Sequence, residues 1–358
     1  MASLLRTALF FVLCLGVCST HAAPCVSPPS ACVEWLTVGG GPERVMTFRS
    51  HPLDARNDGL TQALIVIHGQ GRDGDNYYRH ALAAGFLAGS LDKVLIIAPR
   101  FSSNEGRTCR DTLAQNEINW VCAGPASWRS GGGSVSRDGI SSFDVVDEIL
   151  QRLARREVFP NLKAVVLAGH SAGGQYVSRY EFANDIHEKL PFRLTYVVSN
   201  PSSYTYPISL RPTESAMVSR YPAGAFGYAP TGTKPAPPFV EFADAQGCTN
   251  YNAWPYGLER RVGRTANVAE DELKRRLVQR PVTYLLGELD ILPLYGFDGS
   301  CAAMAQGPTR LGRGLAFAKY VTETLGAGHR VILVPACGHN ARCMFGSEAA
   351  LPVLFLKD

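Results

Sequence analysis

Beyond its N-terminal stretch the 358-residue sequence has no apolar run long enough to span a bilayer, so no transmembrane helix is predicted. It has no basic run interleaved with aromatics, and a formal charge of only +4, which leaves nothing to suggest a nucleic-acid partner. The one N-x-S/T match, Asn200-Pro201-Ser202, carries proline in the middle and is not a glycosylation acceptor. Metal ligands are scarce too. Cys337-x-His339-x-x-x-Cys343 has ligand-like spacing, but no second cluster accompanies it.

What is present begins with a leader. Arg6 supplies a positive n-region, residues 7–18 are apolar but too few to cross a membrane, and Thr20-His21-Ala22-Ala23 offers small residues for cleavage. The pattern predicts a signal peptide over 1–23 and a mature chain beginning near Ala23 or Pro24, secreted or periplasmic. Val17, preceding Cys18, argues against a lipoprotein anchor. Of the ten cysteines, Cys14 and Cys18 leave with the leader, and the remaining even number in an exported chain predicts disulfides. The sequence-local pairing is favoured: Cys25 with Cys32, Cys109 with Cys122, Cys248 with Cys301, and Cys337 with Cys343.

Apolar runs alternate with helix-period segments, which predicts α/β architecture for one large domain over 24–358. Strands are expected over 33–38, 44–48, 63–67, 93–98, 163–168, 193–199, 282–286 and 330–334, as a mostly parallel sheet with antiparallel strands at its start. Phe143, Val146, Leu150 and Leu153 mark one helix face; Leu311, Leu315, Ala318, Val321 and Leu325 mark another, stopped by Gly326. Helices are also expected over 269–277 and 347–356. Two connections, 101–141 and 200–280, are too long for simple turns and leave C-terminal strand ends, where open α/β sheets bind ligands. They read as a cap over a site, or else as surface decoration. Their Trp120, Trp128, Tyr204, Tyr206 and Trp254 would face an apolar substrate part or form the cap's own core.

The chemistry gathers on Gly169-His170-Ser171-Ala172-Gly173, between an apolar strand and a helix start. Strand, G-x-S-x-G and helix is the context of a nucleophile elbow, with Ser171 at the strand tip. Chance supplies such pentapeptides readily, so partners must support it. A base should follow the last strand, and His339 does, whereas His329 precedes it at the wrong end. An acid should follow the penultimate strand, where Gly287-Glu288-Leu289-Asp290 offers Asp290 first, Glu288 next and Asp298 a distant third. Two N–H groups should hold an oxyanion: Ala172, after the nucleophile, and Gln70 in His68-Gly69-Gln70-Gly71-Arg72. The same loop reads as a G-x-G-x-x-G over Gly69 to Gly74 with Asp92 further on. That dinucleotide pattern explains neither the elbow nor His339.

On these residues the chain resembles the α/β-hydrolase superfamily from about Ala63 onward: His68-Gly69-Gln70-Gly71, Gly169 to Gly174, Gly287 to Asp290 and Gly338-His339. More narrowly it is similar to exported serine esterase and lipase-like hydrolases of undefined substrate, through Ser142 to Asp147, Ser171 to Gln175 and Cys301 to Gly307. The resemblance implies an eight-stranded α/β-hydrolase sheet, flanking helices, a cap and acyl hydrolysis. Its oxyanion loop departs from the His-Gly-Gly-Gly form of many esterases. The expected activity is cleavage of a small-molecule or polymer carboxylic ester through an acyl-enzyme, without cofactor or metal. A serine peptidase or amidase, and a non-catalytic binding protein, are the alternatives. Oligomeric state is not readable from the sequence.

Overall fold

The computed structural model describes residues 23–26, 29–213 and 239–356. All but Ala23 of the expected leader lies outside the described residues, as does 214–238 of the second long connection. The strands are β1 (Val33–Thr37), β2 (Arg44–Arg49), β3 (Gln62–Ile67), β4 (Val94–Pro99), β5 (Ala164–His170), β6 (Arg193–Ser199), β7 (Leu210–Pro212), β8 (Phe239–Glu241), β9 (Val282–Gly287) and β10 (Arg330–Val334). Eight form one sheet in the order β1-β2-β4-β3-β5-β6-β9-β10, while β7 and β8 pair separately. β1, β2 and β4 join antiparallel, and every later pairing is parallel. All eight runs expected from the apolar pattern are strands of this sheet.

The reason lies in two-sided burial. β3, β4, β5 and β9 are buried along their whole length. On β3, Ala63, Ile65 and Ile67 feed one apolar cluster, while Leu64 and Val66 feed a second cluster on the opposite face. The helices are α1 (Gly74–Leu87), α2 (Ser142–Leu153), α3 (Ala172–Ala183), α4 (Glu270–Gln279), α5 (Cys301–Met304), α6 (Arg310–Lys319), α7 (Ala341–Phe345) and α8 (Leu351–Leu354). A capping box starts α2: the Ser141 hydroxyl accepts from Phe143 N–H, and the Asp144 carboxylate accepts from Ser141 N–H at 2.7 Å. The helix expected over 311–325 is α6 followed by a π turn, Tyr320–Thr324, ending before Gly326 at φ 75°.

One expectation needs correction. The terminal helix over 347–356 shrinks to α8, because Pro352 has no N–H to donate, and 347–350 is instead a turn closed on the Ser347 carbonyl. Of the two readings open for the aromatics of the long connections, the structure takes core: Trp120, Trp128, Tyr204, Tyr206 and Trp254 are at most 2 % exposed. Phe101 stacks on Trp128 with centroids 5.2 Å apart, and the Trp254 indole donates to Ser130 O at 3.2 Å, tying the two long connections together. The four disulfides join the sequence-local pairs: Cys25–Cys32, Cys109–Cys122, Cys248–Cys301 and Cys337–Cys343. Among the described residues no helix is long and apolar enough to cross a membrane.

A core role for Trp128 has a measurable consequence. Trp128→Ala should lower stability by about 3–5 kcal/mol in denaturant unfolding. An unchanged midpoint with a raised KM would instead return this ring to the substrate surface.

Candidate active site

The register of β5 against β3 and β6 ends at Gly169 opposite Ile67 and His170 opposite Ser199, so the next residue stands beyond the strand tips. That residue, Ser171, has φ 60° and ψ −118°, a strained conformation for a residue with a Cβ. It is held there from both sides. Ser171 N–H donates to Ser199 O at 2.9 Å, and α3 begins at once with Ala172. The glycines are compulsory on steric grounds. A Cβ on Gly169 would lie 2.2 Å from Gly173 O, one on Gly173 2.2 Å from Ile67 O, and one on Gly174 2.5 Å from Ser199 O.

Three of the candidate residues meet side chain to side chain. The Ser171 hydroxyl lies 2.8 Å from His339 Nε2, and His339 Nδ1 lies 2.8 Å from Asp290 Oδ2. A carboxylate can only accept, so Nδ1 carries the proton and Nε2 is free to accept from Ser171. Asp290 is only 1 % exposed. Glu288 uses its N–H to bond Val334 O, and the Asp298 carboxylate accepts from Tyr256 OH at 2.8 Å; neither carboxylate meets His339. His329 bonds Tyr284 OH at the opposite strand end.

The loops carrying Asp290 and His339 are braced against each other. Asn200, just past β6, accepts Gly287 N–H at 2.9 Å and donates to Gly338 O at 3.3 Å. Leu289 N–H donates to Cys337 O at 2.9 Å, and the Cys337–Cys343 disulfide closes the loop that carries His339. These two cysteines are therefore not free thiolates available to a metal. Beneath Asp290 lies Arg310, fully buried, with Nη1 3.3 Å from Asp290 Oδ1 and Nε donating to Ser202 Oγ at 2.7 Å. Sequence reading missed Arg310 and Asn200. Their signals were slight: an arginine starting an apolar helix face, and a polar residue at a strand tip.

The Gln70 loop is set by two struts. His68 Nε2 accepts from Phe101 N–H at 2.9 Å, so its Nδ1 donates to Gly69 O at 2.8 Å, and the ring is neutral. Burial pushes the His68 pKa down from 6.5 to about 4. Arg72 donates to Gln70 O at 2.9 Å and pairs with Asp111 at 2.6 Å. A Cβ on Gly69 would stand 3.7 Å from Ser171 Cβ, so this loop borders the serine. Among the described residues no backbone carbonyl takes the N–H of Gln70 or of Ala172. His170, packed 4.7 Å from the His339 ring, is held well below the usual imidazole range by burial first and His339 second.

A cavity of about 510 Å³ opens beside these residues, lined by Gln70, Gln175, Ser202 and Ser203 together with Arg129 and Tyr256 from the long connections. Around its outside the loop following Asp290 exposes Leu292, Leu294 and Tyr295.

Two experiments probe this construction. Removing Arg310 strands a buried carboxylate, so Arg310→Met should cost about 3–5 kcal/mol of stability, read as a lowered unfolding midpoint. His68 has its folded pKa below its unfolded value of 6.5, so its contribution is complete above pH 6.5 and is lost as pH falls toward 4. The melting temperature should drop across that window, and less steeply in His68→Asn. Equal slopes would show that His68 is not the titrating strut.

Comparison with known proteins adds the following. A family model described as "Alpha/beta hydrolase family" matches residues 64–351. No functionally curated sequence matches the chain. A poly(3-hydroxybutyrate) depolymerase from Bordetella parapertussis has a similar structure, with 22 % identity over 91 % of each chain and a TM-score of 0.58. A poly(aspartic acid) hydrolase from Sphingomonas sp. KT-1 is similar at 20 % identity over 87 % of this chain and 94 % of its own, with a TM-score of 0.55. At these identities the likeness is one of fold.

Proposed function

We propose that this chain, which belongs to the alpha/beta hydrolase family, is an exported serine hydrolase that cleaves carboxylic esters through an acyl-enzyme. The observation that carries the reading is the hydrogen-bonded chain from Ser171 through His339 to Asp290, at 2.8 Å in each link, with its first member on a strained turn. His339 takes the Ser171 proton from its free Nε2 as the hydroxyl attacks the ester carbonyl. Asp290 holds the ring's tautomer and offsets the imidazolium charge. Arg310, paired with Asp290 Oδ1, holds that carboxylate in orientation in its buried position. The Ala172 and Gln70 N–H groups receive the oxyanion, helped by the positive end of α3. Collapse of that intermediate expels the alcohol, which takes the proton from His339. Water, deprotonated by His339, then attacks the acyl carbonyl and frees Ser171.

Segments 101–141 and 200–280 act as the cap. The support is the cavity, which takes lining residues from both. Export is supported by the four disulfides and by the leader pattern in the sequence. The exposed leucines and Tyr295 beside the acid loop suit an ester with an apolar portion left outside the cavity.

The test is turnover of a p-nitrophenyl acyl series beside a peptide anilide series. Ester kcat in Ser171→Ala should fall by about a thousandfold or more. Undiminished ester turnover in that variant would remove Ser171 from the mechanism. Anilide turnover exceeding ester turnover would make the protein an amidase.

A further inference from the structure

The cavity beside Ser171 carries charge that the ester chemistry does not use. Arg129 lines it and lies in its wall, half-buried, with Nη1 donating to Gln70 Oε1 at 3.0 Å. Among the described residues no carboxylate comes within ion-pair distance of Arg129 or of Arg179. Arg179 sits 1 % exposed behind the wall, donating to Arg129 O at 3.1 Å and to the cavity hydroxyl of Ser203 at 3.2 Å. Its Nε has no partner among the described residues. Asp298 is the cavity's acidic group, and it is engaged by Tyr256 OH and Ser300 N–H.

Burial disfavours the charge on both guanidinium groups, more than Asp298 and Tyr256 offset it. Placing two arginines in one wall without a bound carboxylate is costly, and an anion entering the cavity would relieve that cost. Three of the cavity's lining residues are linked to the site around Ser171. Gln70 belongs to the oxyanion loop, Gln175 N–H donates to Ser171 O at 3.0 Å, and Ser202 Oγ accepts from the arginine that pairs with Asp290.

Resting on the serine-hydrolase reading, we propose that this cavity binds a carboxylate carried by the ester substrate, with Arg129 as its direct partner. Ser203 and Gln175 supply further hydrogen bonds, and Arg179 adds positive potential from behind. The substrate class is then a carboxylate-bearing ester. Its free acid lies about one glutamine side chain from the carbonyl that Ser171 attacks, because Arg129 reaches the oxyanion loop through the Gln70 amide.

The experiment compares p-nitrophenyl hemiesters of succinic, glutaric and adipic acid with p-nitrophenyl esters of butyric, valeric and caproic acid, corrected for spontaneous hydrolysis. In wild type, kcat/KM for the best hemiester should exceed that of its neutral counterpart by about 10- to 100-fold, the worth of a charge-assisted hydrogen bond or two. In Arg129→Gln that ratio should collapse toward one, and Arg129→Lys should keep part of it, whatever either change does to the neutral ester. Independently of any variant, glutarate should compete with p-nitrophenyl butyrate for wild-type enzyme and glutaramide should not. A wild-type ratio at or below one, or a ratio unchanged in Arg129→Gln, overturns the proposal. Failure of every ester to react through Ser171 would instead overturn the hydrolase reading on which it rests.

Discussion

One backbone constraint organises this molecule: β5 must turn into α3 within a single residue while its neighbours press on it from both sides. Gly173 lies against the β3 carbonyls and Gly174 against Ser199 O, so no side chain fits at either position. Ser171 is left at φ 60°, a conformation that costs of order 1–3 kcal/mol and persists only because the packed sheet and helix impose it. The return is a hydroxyl raised above the sheet with a helix N-terminus directly behind it.

The partners of Ser171 come from far along the chain, and their positions depend on cross-braces. Asp290 and His339 belong to separate loops after β9 and β10. Asn200 bonds the start of one and the middle of the other, and Leu289 N–H bonds Cys337 O between them. The Cys337–Cys343 bridge and the Arg310–Asp290 pair then limit what each loop can do separately. This is the arrangement expected where a small displacement of a base is expensive in rate. The Gln70 loop is fixed by the same logic with different chemistry, a neutral histidine on one flank and the Arg72–Asp111 pair on the other.

Much of this was legible in the sequence because it rests on short-range pattern. Continuous apolar runs identify the central strands, buried on both faces, and the sheet contains all eight expected runs. Ser171, Asp290 and His339 stand out because each follows such a run. Long-range contacts were less visible. Trp128 and Trp254 look like cap aromatics in one dimension, and only the packing of 101–141 against 239–280 makes them core. Arg310 and Asn200 have no local motif, since their partners lie 20 and 87 residues away. The helix over 347–356 failed for a local reason that was available, the missing N–H of Pro352.

The central claim is that Ser171 is the residue acylated. A fluorophosphonate probe reports this directly, because it forms a stable adduct with a serine only when a neighbouring base activates it. Intact-mass analysis of the labelled protein should show a single adduct, peptide mapping should place it on Ser171, and His339→Ala should label far more slowly. An unlabelled wild-type protein, or an adduct on another residue, would contradict the account.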